Sequence, residues 1–134
     1  NQEVEGKKMI MDDDVIRNIY ARAVVVEGKG LDITSAKNGK EALALLNKTE
    51  HEFDIVLMDI MMPVMDGYEA MREIRKDNKI NDVPIIALTA KAQAEDKKLC
   101  IDAGANDYMA KPIDHEQLLS LLKIWLAVKD PMEA

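Results

Sequence analysis

A chain with one cysteine has no intramolecular disulfide framework, and Cys100 is the only one here. That usage fits a reducing compartment, so cytoplasm is the expected location. Aromatic residues are scarce at 4%, with one Phe, one Trp and three Tyr, so an aliphatic core is expected, with nine methionines as adaptable filler. Positive charge is also in short supply. Eighteen Lys and Arg stand against 25 Asp and Glu, a net charge of −7, which excludes a direct nucleic-acid surface because neutralising phosphates needs clustered basic side chains. No apolar run approaches a membrane span and no secretory h-region is present, so no membrane contact is expected of this segment. Internal repeats and low-complexity stretches are absent. The chain opens at Asn1 instead of Met, which reads as a processed or excised end. Its 134 residues suit one domain with a real hydrophobic core.

What is there is organised around residues 53–67, FDIVLMDIMMPVMDG. Ile55, Val56, Leu57 and Met58 form a short apolar run suited to a fully buried parallel strand. The run stops at a carboxylate, Asp59, followed by a loop through Pro63. Asp66 and Glu69, three apart, form a capping pattern that opens a helix with Tyr68, Met71 and Ile74 on one face. The same grammar recurs along the chain. Met9, Ile10 and Met11 run into Asp12, Asp13 and Asp14; a helical pattern then carries Ile16, Ile19, Tyr20, Ala23 and Val24 before Gly28 and Gly30 stop it. Residues 31–36 alternate as a strand, and Asn38 with Glu41 caps a helix striped by Ala42, Leu45 and Leu46. A polar connection over 78–84 leads to a strand through Ile85, Ile86, Ala87 and Leu88 that ends on Thr89. A weakly amphipathic helix is expected over 90–103, with Ala92, Leu99 and Ala103 as its apolar positions. A strand over 107–110 runs into Lys111 and Pro112. The last helix is capped by Asp114 and Gln117 and turns Leu118, Leu121, Leu122 and Trp125 inward, leaving Leu119, Ile124 and Leu126 off that stripe.

Five strands alternating with five helices predict an α/β fold: a doubly wound, five-stranded parallel sheet covered on both faces. Parallel strands deliver their carboxyl ends to one side. The Asp12, Asp13, Asp14 cluster, Asp59, Thr89 and Lys111 therefore converge despite their separation in sequence. Taken singly, three aspartates are usually a turn or a cap, and a lone Thr or Lys is ordinary; successive placement at strand ends is what points to chemistry. Several carboxylates in one site repel unless a cation joins them, and hard oxygen ligands suit Mg2+. Lys111 and the Thr89 hydroxyl would then hold the oxygens of a transferring phosphoryl group, with a carboxylate as nucleophile.

With these residues in view, the chain closely resembles the receiver (phosphoacceptor) domain of two-component response regulators and hybrid sensor kinases. The resemblance covers residues 7–126. It rests on the acidic cluster, LMDIMMPVMDG around Asp59, LTA at 88–90 and GANDYMAKP at 104–112. It implies a flavodoxin-like (βα)5 fold, with residues 7–128 as the receiver and 1–6 and 129–134 as tails. Asp59 is implied as the phosphoacceptor that attacks a phosphohistidine, with Thr89 as switch hydroxyl, Lys111 as the phosphoryl-pairing lysine and Tyr108 as the aromatic switch residue. Mg2+ would be held by the acidic cluster, Asp59 and the backbone carbonyl of Met61, and the 111–112 bond would be cis. The small Ala90 would leave the site open to solvent and donor.

One departure is visible: three acids follow the first strand where the family has a pair. Counting from the strand start favours Asp12 with Asp13 or Asp13 with Asp14; counting back from Arg17 and Asn18 favours Asp13 with Asp14. The implied partners are a histidine kinase or histidine phosphotransfer domain, with room for a homodimer. The chain reads as a stand-alone receiver or one excised from a hybrid histidine kinase, and the 12–18 run inclines toward the latter. Phosphorylation is expected to reposition the 90–103 helix together with Thr89 and Tyr108. Two other readings compete. A magnesium-dependent phosphohydrolase needs a second acid two residues past the nucleophile, where this chain has Met61. A degenerate receiver would act as an unphosphorylated interaction module, although the full set of site residues is present.

Overall fold

The computed structural model describes residues 6–12, 15, 32–48, 52–90 and 93–129. The expected helix over 16–24, its glycine stop, and Asp13 and Asp14 lie outside the described residues. In chain order the elements are β1 (Lys8–Asp12), β2 (Asp32–Ala36), α1 (Gly39–Lys48), β3 (Ile55–Asp59), α2 (Gly67–Lys76), β4 (Ile85–Thr89), α3 (Ala94–Ala103), β5 (Asp107–Ala110) and α4 (His115–Lys129). All strand pairs are parallel, in the order β2-β1-β3-β4-β5. This is the doubly wound, flavodoxin-like sheet, with four helices among the described residues. None of them is long and apolar enough to cross a membrane.

The sheet separates two cores. Ile10, Val56, Met58, Ile85 and Ala87 point to the side packed by α1, α2 and α3, together with Ala42, Leu46, Met71, Ile74 and Cys100. Met9, Met11, Ile55, Leu57, Ile86 and Leu88 point to the other side, where Leu118, Leu122 and Leu126 of α4 cover them. The alternation is the two-residue strand period seen from both faces. Every residue of β3 and β4 is buried. At about 1.5–3 kcal/mol for each large aliphatic side chain removed from water, these strands form a stiff platform for whatever sits at their ends.

Local signals start the helices where the capping patterns put them. Asp66 Oδ1 accepts the Glu69 N–H at 2.9 Å, and Asn38 Oδ1 accepts the Glu41 N–H at 2.9 Å. Asp114 Oδ1 accepts the N–H groups of Glu116 and Gln117 at the start of α4.

Three expectations need correction. The helix expected from residue 90 begins at Ala94, with Ala90 exposed in a bend beyond β4. Its anchors are Cys100 and Ala103, while Leu99 is 53% exposed; the small thiol and methyl allow close approach to α2, and the phase they set turns Leu99 outward. In α4 the buried ridge is Leu118, Leu122 and Leu126, an i, i+4 row. Leu121 and Trp125 are partly buried beside that ridge and Ile124 is exposed. The polar connection over 78–84 also contributes two buried side chains, Ile80 and Val83.

Candidate functional site

Four chain segments meet at the carboxyl edge of the sheet. β1 ends on Asp12, β3 on Asp59 and β4 on Thr89, all three buried at 6% exposure or less. β5 ends one residue before Lys111. Register brings them abreast: Asp59 is opposite Leu88, and Thr89 is opposite Ala110. The ladder continues past the strand ends, since Ile60 N–H donates to Leu88 O at 3.0 Å and Lys111 N–H donates to Thr89 O at 2.8 Å. Lys111 is thereby tied by its backbone to the residue expected to act with it. The Lys111–Pro112 peptide is cis.

The Asp59 carboxylate is held at both oxygens. Lys111 Nζ donates to Oδ2 at 2.6 Å, and Met61 N–H donates to Oδ1 at 3.0 Å. The ion pair is asymmetric, with the lysine side chain 39% exposed and the carboxylate 4%. These donors offset part of the cost of drying the carboxylate and fix its orientation, and a positioned oxygen is what a nucleophile requires. Lys111 reaches it from the solvent side, where an incoming anion would arrive.

Gly67 is a site residue that motif reading passed over. Its N–H donates to Ile60 O at 3.0 Å, and a Cβ there would lie 2.5 Å from Asp59 O. Only glycine lets α2 start against the backbone of the residue after Asp59. The signal in the sequence was a glycine directly after a helix cap, a position where side chains are ordinarily tolerated. The loop between them has Val64 at φ 67, a left-handed conformation uncommon for a β-branched residue, with its side chain 77% exposed. Met61 is 75% exposed.

Tyr108 sits on the edge strand β5, opposite Ala87, and its ring is partly buried against the α1–α3 core. The Lys97 ammonium of α3 lies 5.6 Å from the ring centroid. Behind it, Asp107 divides its carboxylate: Oδ1 accepts the Tyr108 N–H at 2.8 Å, and Oδ2 accepts the Trp125 indole N–H at 3.1 Å. Burial pushes both the Tyr68 phenol of α2 and the Cys100 thiol of α3 above their ordinary pKa.

The sequence-expected site residues therefore fall into three groups. Asp12, Asp59, Thr89 and Lys111 share one edge; Tyr108 is three residues before Lys111 on the flanking strand; Asp13 and Asp14 lie outside the described residues. Among the described residues no three His, Cys, Asp or Glu gather as a metal-binding group. The donors described are the buried carboxylates of Asp12 and Asp59, hard oxygen ligands on neighbouring strands.

Comparison with known proteins follows the same lines. The profile of the response regulator receiver domain matches residues 9–123. Protein PilH of Pseudomonas aeruginosa is 35% identical over 120 residues, covering 90% of this chain and 98% of PilH. The hybrid signal transduction histidine kinase M of Dictyostelium discoideum is 37% identical over 125 residues; the match takes in 91% of this chain but 5% of that kinase. Among solved structures, the receiver domain of sensor histidine kinase PA1611 from Pseudomonas aeruginosa superposes with a TM-score of 0.77 at 35% identity. That match covers 90% of this chain and 98% of PA1611's receiver domain, which has a magnesium ion coordinated in its active site cleft. With a matching profile over residues 9–123, a superposing solved receiver domain and relatives aligned over nine-tenths of its length, this chain belongs to the response regulator receiver domain family of two-component signalling.

Proposed function

We propose that this chain is a phosphorylation switch that takes a phosphoryl group from a phosphohistidine partner onto Asp59. The observation that carries the reading is the Lys111 ammonium 2.6 Å from a buried Asp59 carboxylate at the end of β3. In the reaction an Asp59 oxygen attacks phosphorus, an O–P bond forms, and the P–N bond to the donor histidine breaks, leaving a neutral imidazole after proton uptake from water. Lys111 releases Asp59 and follows the phosphoryl oxygens, while the Met61 N–H keeps its hold on the carboxyl group. Thr89 supplies a hydroxyl to the same oxygens.

The donor chemistry fits a hard divalent cation. Asp59 and the carbonyl of Met61 would hold Mg2+ together with a pair from the acidic cluster, Asp12 with Asp13 or Asp13 with Asp14. When bound, it supplies positive charge opposite the phosphoryl oxygens. Residues 7–128 form the receiver unit in this reading, and a histidine kinase or histidine phosphotransfer domain in the cytoplasm is the donor. The chain is a phosphoacceptor that releases its own phosphate slowly, not a turnover enzyme, because Met61 has no proton to exchange where a phosphohydrolase carries an acid. Phosphorylation adds about −1.5 to −2 charge at Asp59, and the response runs through Thr89, Tyr108 and α3.

The test is intact mass after incubation with acetyl phosphate and Mg2+. A single phosphoryl adduct that needs the metal and is missing in Asp59→Asn supports the reading. Phosphate release without an adduct would make the chain a hydrolase, and no reaction at all would make it an unphosphorylated docking module.

A further inference from the structure

Helix α3 is fastened at one end. Its two buried residues, Cys100 and Ala103, lie in its second half, whereas Ala94, Glu95, Lys97, Lys98 and Leu99 are exposed. No side-chain cap closes its start at Gln93. Its other end is pinned several times over. Gly104 N–H donates to Ile101 O, Ala105 N–H donates to Cys100 O, and Arg75 Nε donates to Gly104 O at 2.9 Å. Gly104 adopts φ 123, and a Cβ there would meet Arg75 Cγ at 2.7 Å, so this pin is built for glycine. A rod fixed at its last turn can swing at its first.

The first half has one described side-chain tie to the sheet edge, the Lys97 ammonium 5.6 Å from the Tyr108 ring centroid. The neighbouring Lys98 is engaged within the helix, with Asp102 at 2.9 Å. We propose that Lys97 is a positioning residue, a latch that holds the unpinned half of α3 against Tyr108 and sets how readily the switch is thrown. The proposal rests on the reading of Tyr108 as the switch residue. A cation over the ring face favours the ring position that presents that face. When Tyr108 turns inward toward Thr89 the contact is lost, and the first half of α3 loses its tie with it. Linkage makes the effect reciprocal: whatever holds α3 in place keeps Tyr108 out, and whatever draws Tyr108 in loosens α3. An exposed cation–π contact is worth about two- to fivefold in such an equilibrium.

The experiment titrates the protein with beryllofluoride, a phosphoryl mimic, in the presence of Mg2+, reading the bound species by 19F NMR. Lys97→Met keeps the stem and removes the charge; it is expected to tighten the apparent Kd about two- to fivefold while lowering the thermal midpoint by no more than a few degrees. Lys97→Arg keeps a cation over the ring and should match the wild type. In a Tyr108→Leu background, which has no ring face, Lys97→Met should change nothing. An apparent Kd for Lys97→Met equal to that of the wild type overturns the latch, as does an effect that persists in Tyr108→Leu. Failure of the wild-type chain itself to bind the mimic would instead overturn the phosphoacceptor reading.

Discussion

At the scale of single residues the site is a contest between burial and charge. Asp59 is nearly dry, and Lys111 is the cation paired with it. Lys111→Met should therefore lower the unfolding free energy by about 1–3 kcal/mol, measured by urea denaturation, because it takes the cation from a buried carboxylate. The same variant should slow phosphorylation by acetyl phosphate at least about tenfold. Gly67→Ala drives a methyl into the backbone of Asp59, so a loss of about 1–3 kcal/mol is expected, with slower phosphorylation despite an intact acceptor. Cys100 gives a pH signature. Burial raises its folded pKa above the unfolded value of about 8.5, so its contribution to stability is complete below that pH and is lost as pH rises through the folded value. Native alkylation by iodoacetamide at pH 8 should be far slower than in urea, and an urea midpoint that stayed level through alkaline pH would contradict the shift. Asp59, Thr89 and Lys111 were legible because each closes an apolar run or the strand just before it. Gly67 was not, because the collision it avoids is between segments and leaves no local pattern.

At the scale of elements, capping chemistry was readable and helix phase was not. Asp66 with Glu69 and Asn38 with Glu41 act as their spacing implies. In α4, Leu118, Leu119, Leu121, Leu122, Ile124, Trp125 and Leu126 populate adjacent columns, so two stripes fit the sequence equally well. The sheet's Met9, Met11, Ile55 and Leu57 select the one that buries Leu126. In α3 the apolar residues are too few and small for periodicity to fix either the start or the buried face. What holds it is Arg75, a residue that reads as surface charge. Its guanidinium donates to the carbonyls of Gly104, Asn81 and Val83 and to Asn106 Oδ1. Burial lowers its pKa, with Asp82 opposing that shift. Lysine has no planar fork, so Arg75→Lys cannot serve these four acceptors together. The variant should cost about 1–3 kcal/mol and raise amide exchange in the last turn of α3 selectively; uniform exchange across the helix would argue against the pin.

For the molecule as a whole, strand–helix alternation made a parallel sheet legible, and the convergence of strand ends followed from it. Which side chains of each helix enter which of the two cores emerged only in three dimensions. Binding at the site should stabilise the entire fold by mass action. Beryllofluoride with Mg2+ at a hundred times Kd is expected to add about 2.7 kcal/mol, seen as a higher thermal midpoint that Asp59→Asn does not show. A chain trimmed to residues 7–128 should give the same shift if that range is the receiver unit. The one tryptophan adds a practical consequence. Trp125 joins the covering helix α4 to the edge strand through Asp107, whose other oxygen holds the Tyr108 amide. Indole emission depends on the polarity and hydrogen bonding around its ring, so the fold has an optical gauge between its last strand and last helix. Its colour should register a displacement of β5 without any label attached.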